Sequence, residues 1–291
     1  MRTERANVLD PALLSRIGDL ELVARILAEG LVSGNHRSPF HGYSAEFSQY
    51  RHYRPGDDLK YVDWKLVART DRVYTKQFRE TTNLATMVVV DTSASMAFPE
   101  GATSKFRYAR IAAAALAYLI SGQGDTVGLM TGDEFLAPKA GRRHLRRLLA
   151  SLSGLATSAS WSAAAVVRRA AERLGHRGLL LVFSDFYDDE DATFAEMRRA
   201  ARLGHEVVVF QVISREEIDF GYRRDVEFVD LESGRTLAVD GRAARRPYLD
   251  AMTAFLERCR LRAGAEGFQY SLMMTDAPHD HTLRSFLLAR R

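Results

Sequence analysis

Met87-Val88-Val89-Val90-Asp91-Thr92-Ser93-Ala94-Ser95-Met96 is an apolar run that stops at a carboxylate, followed by two hydroxyls at alternate positions. A continuous valine-rich run of strand length, closed by a polar turn, is the pattern of a parallel strand covered on both faces. In open α/β sheets the carboxyl ends of such strands face the crevice where ligands sit. Asp91, Ser93 and Ser95 therefore share one short turn and offer only oxygen. Such donors suit a hard divalent cation that keeps several waters, Mg²⁺ first and Mn²⁺ or Ca²⁺ as substitutes, and do not suit zinc.

A second run, Gly178-Leu179-Leu180-Leu181-Val182-Phe183-Ser184-Asp185, repeats the pattern of a buried strand ending in an acid. If the two strands lie side by side, Asp91 and Asp185 face one site, and a cation offsets their repulsion. A further hydroxyl is available from Thr157-Ser158-Ala159-Ser160, the polar loop before a helix beginning near Trp161. Serine directly before a helix is also a natural N-cap, so capping competes with coordination at Ser160. Asp188, Asp189, Glu190 and Asp191 read as acids favouring a helix N-terminus rather than as ligands.

Around these strands the periodicity alternates between two and about 3.6 residues. After the strand at 86–90 come a helix over 104–121, a strand over 126–131, helices over 142–152 and 161–174, and the strand at 179–183. A helix over 192–203, a strand over 206–213, a hairpin at 226–239 around Glu232-Ser233-Gly234, a long helix over 245–263, a strand over 268–274 and a terminal helix after Asp280 follow. This alternation predicts an α/β fold, doubly wound, with a mostly parallel sheet flanked by helices. Upstream, Leu13 to Leu27 carry helical spacing that predicts a docking helix over 11–31. From Gly34 to Thr82, aromatics interleave with charge and predict short strands and turns, including one at Pro55-Gly56-Asp57. The expected division is 1–84, a helix with an aromatic-rich β module, and 85–291, the α/β domain with the hairpin as an insertion.

The chain has 291 residues, enough for one large domain with an extra module, and its 46% hydrophobic content permits a full core. With 41 basic against 37 acidic side chains the net charge is +4, too mild to imply nucleic acid by itself. A single cysteine, Cys259, excludes an internal disulfide and fits a reducing compartment, its expected role being a buried structural thiol. No apolar run reaches the ~20 residues of a membrane span and no signal-peptide core is present, so the expected location is cytoplasmic. His279-Asp280-His281 looks metal-like but lacks a third spaced ligand, which favours exposure near a helix start.

Asp91-x-Ser93-x-Ser95 with the later Asp185 resembles the metal-ion-dependent adhesion site of von Willebrand factor A domains. Upstream, Gly34-Asn35-His36-Arg37-Ser38, Gly42, Arg51-His52-Tyr53-Arg54-Pro55-Gly56-Asp57-Asp58, Asp63-Trp64 and Ala68-Arg69 are similar to a bacterial family catalogued as domain of unknown function fifty-eight. The resemblance runs from Gly34 to the C-terminus. It implies a von Willebrand factor A or Rossmann-like fold and a metal site of Asp91, Ser93, Ser95, Ser160 and Asp185. Ser160 stands where such domains usually carry threonine, with Thr157 and Ser158 as competitors. It further implies a non-enzymatic adaptor whose cation accepts a carboxylate from a protein partner. A MoxR-type AAA+ ATPase or its client is the implied partner, in assembly or chaperone-like work.

Two other functions compete. A phosphotransferase or hydrolase would use Asp91 as nucleophile, yet Ser93 stands where an acid two residues later would transfer the proton. A nucleic-acid surface over residues 51–79 would combine arginines with aromatics, yet Asp57, Asp58, Asp63 and Asp71 sit among them. The Arg54, Asp57, Asp58 and Arg69 group reads equally as a structural charge network or a partner-facing patch. No nucleic acid is expected as partner.

Overall fold

The computed structural model describes residues 14, 17–32, 45–54, 57–58, 62–70, 72–80, 84–101, 104–158, 161–175 and 177–289. Ser160, the Pro55-Gly56 pair, Asp71 and the Gly34–Ser38 and Gly42 motif residues lie outside them. In chain order the first elements are α1 (Leu20–Val32), β1 (Ala45–His52), α2 (Trp64–Thr70), β2 (Tyr74–Glu80), β3 (Ala85–Val90), α3 (Lys105–Gly122), β4 (Thr126–Met130), β5 (Phe135–Lys139) and α4 (Arg142–Gly154). Then follow α5 (Ala163–Leu174), β6 (Gly178–Ser184), α6 (Glu190–Arg202), β7 (Glu206–Ile213), α7 (Arg215–Asp219), β8 (Asp225–Val229), β9 (Thr236–Asp240), α8 (Gly241–Ala265), β10 (Gln269–Met274) and α9 (His279–Ala289). They fall into two units, one within Met1–Pro39 and Ala85–Arg291, the other within Phe40–Leu84.

The larger unit is a mixed α/β fold around a six-stranded sheet in the order β10-β7-β6-β3-β4-β5. Every pairing is parallel except β4 with β5. β5 is absent from the periodicity reading because it is five residues long and contains Pro138, which an edge strand tolerates. Alternate residues of the central strands serve opposite faces. Met87, Val89, Leu180, Val182, Val207 and Val209 pack under α5, α6 and α8, whose Val167, Phe194 and Cys259 are fully buried. Burial also pushes the Cys259 thiol up to about 12, in keeping with a structural role. On the other face, α3 lies against the strands with an alanine run, Ala112 to Ala115, wholly buried. At about 1.5–3 kcal/mol for each fully buried valine or leucine side chain, these two faces supply the main driving force for the fold.

The chain passes from β3 outward through β4 to β5, then returns to start β6 on the other side of β3. The sheet thus reverses its direction of growth between β3 and β6, and the crevice opens at their carboxyl ends. Gly178 keeps this pair close, since a Cβ there would lie 2.6 Å from the Ala85 carbonyl.

The N-terminal helix differs from its expected bounds and grouping. Its described start is Leu20, because Asp19 Oδ1 accepts the Glu21 and Leu22 amides at 2.9 and 3.1 Å and caps it there. α1 packs on α3, and Arg284 of α9 donates to the Gly30 carbonyl at 2.8 Å, so it belongs with the larger unit rather than with the aromatic module.

His279 is also a correction. It is buried, stacked on Tyr108 at 3.8 Å between ring centroids, with Nε2 3.2 Å from the Tyr108 carbonyl. Burial lowers its pKa to about 4, so the folded protein holds it neutral while the unfolded chain protonates it near pH 6.5. Its stabilising contribution is therefore complete above pH 6.5 and is lost as pH falls towards 4. Relative to a His279→Gln variant, wild type should lose about 3 kcal/mol between pH 7 and pH 4, read by urea unfolding.

In the smaller unit β1 and β2 form an antiparallel pair, across which the His52 and Tyr74 rings meet at a tilt of 31°, with 4.6 Å between centroids. Asp57 accepts from the Arg54 amide at 2.9 Å, from Arg51 at 2.9 Å and from Thr75 at 3.2 Å, and these bonds hold its carboxyl below the usual range. Asp57 is thereby tied to β1 through Arg51 and to β2 through Thr75.

Candidate functional site

Asp91 follows directly on β3, and its amide donates to the Phe183 carbonyl of β6 at 2.9 Å, extending the ladder by one bond. Val90 pairs with Phe183, so Asp91 and Asp185 stand at neighbouring strand ends, both only 1% exposed. The turn after Asp91 closes on that carboxylate, since Oδ1 accepts the Ser93 amide at 2.7 Å. Oδ2 accepts the Ser184 hydroxyl at 2.5 Å. Burial raises the Asp91 pKa to about 7, with the Asp185 charge adding to the effect against the bonds from Ser184 and Ser93.

Ser93 and Ser95 are brought together, their hydroxyl oxygens 3.0 Å apart at the start of a short 3₁₀ turn, Ala94–Ala97. Of the third-loop candidates, the Ser158 amide donates to the Thr92 carbonyl at 2.6 Å, which ties that loop to the turn. Ser160 lies outside the described residues. The acids after β6 cap helices: Asp189 caps α6 through the Ala192 amide at 2.9 Å, and Asp188 accepts the Ala163 amide of α5 at 3.1 Å.

Three further residues complete the site and were missed in sequence. Lys105, the first residue of α3, is fully buried, its ammonium 2.8 Å from Asp185 Oδ2 and 2.6 Å from Glu217 Oε1. Burial works against that charge, but the two carboxylates outweigh it and raise the Lys105 pKa. A lysine in the first turn of a helix opposes the macrodipole, and that anomaly was the one signal it carried. Glu217 sits in a Ser214-x-x-Glu217 capping box at the start of α7, and its Oε2 accepts the Ser214 amide at 2.7 Å. Glu232, at the tip of the β8–β9 hairpin, accepts the Ser95 amide at 2.8 Å. Nothing in the hairpin sequence pointed to that reach.

Asp185 has both oxygens engaged, Oδ2 by Lys105 and Oδ1 by the Tyr187 amide at 3.1 Å. The cluster holds Asp91, Asp185 and Glu217 against the single ammonium of Lys105. No basic side chain pairs with Asp91 among the described residues. Nor, among them, does any group of three or more histidine, cysteine or acidic side chains converge as metal ligands. What the turn offers a cation is one carboxylate and hydroxyls, a donor set that fits a hard, partly hydrated ion. A cavity of about 440 Å³ opens over Ser93 and Ser95, bordered by Trp161, Tyr187, Asp230 and Glu232.

Residues 49–256 match the family described as "Protein of unknown function DUF58". The chain belongs to this family. Relatives include the uncharacterized protein Rv1480 of Mycobacterium tuberculosis (strain H37Rv) and the uncharacterized protein Mb1516 of Mycobacterium bovis. Each is 29% identical over 247 residues, covering 81% of this chain and 77% of the relative. Among solved structures, the conserved hypothetical protein BatB from Bacteroides thetaiotaomicron matches 71% of this chain and 98% of its own, at 13% identity and TM-score 0.47. An aerotolerance-related membrane protein from Bacteroides fragilis matches the same shares at 15% identity and TM-score 0.44. No helix among the described residues of this DUF58 chain is long and apolar enough to cross a membrane.

Proposed function

We propose that this protein is a non-enzymatic adaptor that binds a partner's carboxylate through a divalent cation, Mg²⁺ or a similar hard ion, held at the Asp91 turn. The observation that carries the reading is the buried excess of acid: Asp91 lies beside Asp185 with no basic side chain of its own among the described residues. A cation there would neutralise Asp91 and attract an external acid. Asp91, Ser93 and Ser95 would hold it, with Asp185 supplying charge while Lys105 anchors it. The von Willebrand factor A resemblance stated for the sequence supports the same class. It makes a MoxR-type AAA+ ATPase or its client the first partner to try, in a cytoplasmic setting.

Glu232 bears on the same reading. Its carboxylate already reaches the mouth of the turn, 2.8 Å from the Ser95 amide, so the site's edge accepts an acid in the folded chain. Removing that internal competitor should favour an external one. Affinity capture with the full chain, in Mg²⁺ and in chelator, should retain the partner only in Mg²⁺, and Glu232→Ala should raise the retained amount by about 2- to 10-fold, the worth of one ordinary hydrogen bond, since this one is exposed to solvent. Capture that is equal in chelator would sink the reading.

A further inference from the structure

Next to the cation turn lies a second cavity, of about 490 Å³, which shares Ser95 and Tyr187 with the first. Its wall is an aromatic cluster centred on Phe220. That ring lies 4.5 Å from Tyr248, 5.3 Å from Tyr222 and 5.7 Å from Phe228, and Tyr222 meets Phe228 edge-on at 5.1 Å. Phe220 holds this place in a left-handed backbone conformation, φ 42°, which closes α7 through its amide bond to the Glu216 carbonyl at 3.1 Å. A bulky residue rarely adopts that conformation, and such strain is kept where the surroundings require it.

The charge of the lining is one-sided. Glu216, Glu217 and Glu227 border the cavity, and its one base, Lys105, is already matched by Asp185 and Glu217. Glu216 and Glu227 form no ion pair among the described residues, and both are exposed to an incoming charge. The cavity also shows how its walls treat a cation, because the Lys105 ammonium stands 4.4 Å from the centroid of the Tyr187 ring. Aromatic faces with carboxylates at the edge are the chemistry that receives an organic cation. A planar guanidinium stacks on such faces better than an ammonium does.

We propose that this cavity takes a basic side chain, arginine before lysine, from the same partner segment whose acid goes to the cation turn. The pairing of the two sites rests on the adaptor reading, whereas the cavity's affinity for a guanidinium does not. The adaptor would thus select a segment of mixed charge and reject a purely acidic one, which the surrounding glutamates repel.

The test is a titration of the full chain with N-acetyl-arginine N-methylamide, followed by NMR of labelled tyrosines, beside the neutral N-acetyl-norleucine N-methylamide. Saturable shifts at Tyr222 and Tyr248 are expected, with the norleucine compound at least about 5-fold weaker. Binding should weaken several-fold in the Glu216→Gln/Glu227→Gln double variant, persist in chelator and persist in Asp91→Asn. Equal or tighter binding of norleucine would overturn the proposal in favour of an apolar pocket, and absence of shifts with either compound would overturn it outright. Arginine binding alongside chelator-insensitive capture would instead refute the adaptor reading and leave the cavity's ligand standing.

Discussion

Replacing Asp91 by alanine is expected to abolish Mg²⁺-dependent capture of the partner while the chain still folds. Asp91 is the one carboxylate of the cluster with no basic partner among the described residues, so it is the residue a cation has most to gain from. Loss of an outer hydrogen-bonding group costs a metal site roughly 10- to 100-fold in affinity, and loss of the main anionic ligand should exceed that. Calorimetric titration with Mn²⁺ or Mg²⁺ at pH 8, where Asp91 is ionised, reads the effect directly. Folding needs its own control, since alanine leaves the Ser184 hydroxyl and Ser93 amide without their acceptor, at about 1–3 kcal/mol for each group. Asp91→Asn keeps an acceptor and removes the charge. Circular dichroism and thermal melting should show both variants folded, and Mg²⁺-dependent capture surviving in Asp91→Asn would refute the assigned role.

Lys105→Met should be the most destabilising change near the site, by about 3–5 kcal/mol. The ammonium is fully buried and holds Asp185 at 2.8 Å and Glu217 at 2.6 Å, so its removal leaves two largely buried carboxylates without a counter-charge. Methionine fills similar space, which separates the charge effect from a cavity effect. Urea unfolding measures the loss. Adding Asp185→Asn to Lys105→Met should recover part of it, because residues in one network are coupled rather than additive. A loss below about 1 kcal/mol, or no recovery in the double variant, would mean that the triad is not the structural anchor of the loop after β6.

The local signals were sufficient where chemistry and secondary structure are written in neighbouring residues. An apolar run ending in Asp91-x-Ser93-x-Ser95 identified both a central strand and its terminal turn, and the second run ending in Asp185 identified its companion. The order of strand and helix patterns indicated a mostly parallel sheet, within which β3 and β6 pair directly. β5 escaped detection because an edge strand with a proline carries little pattern. His279 was misplaced because exposure is a property of what packs over a residue, here Tyr108 from 171 positions upstream.

Sequence by itself determined the sheet's central strands and the presence of oxygen donors at their ends, since burial on both faces demands continuous apolar runs and a turn leaves its polar groups in order. Only the tertiary structure decided the charge balance of the site. Lys105 reaches Asp185 across 80 residues and Glu217 across 112, and Glu232 reaches Ser95 across 137 residues. Electrostatic pairing depends on distance in space, which falls outside any local pattern, so the partner of each buried charge became visible only once β3, β6, α3, α7 and the hairpin converged on one crevice.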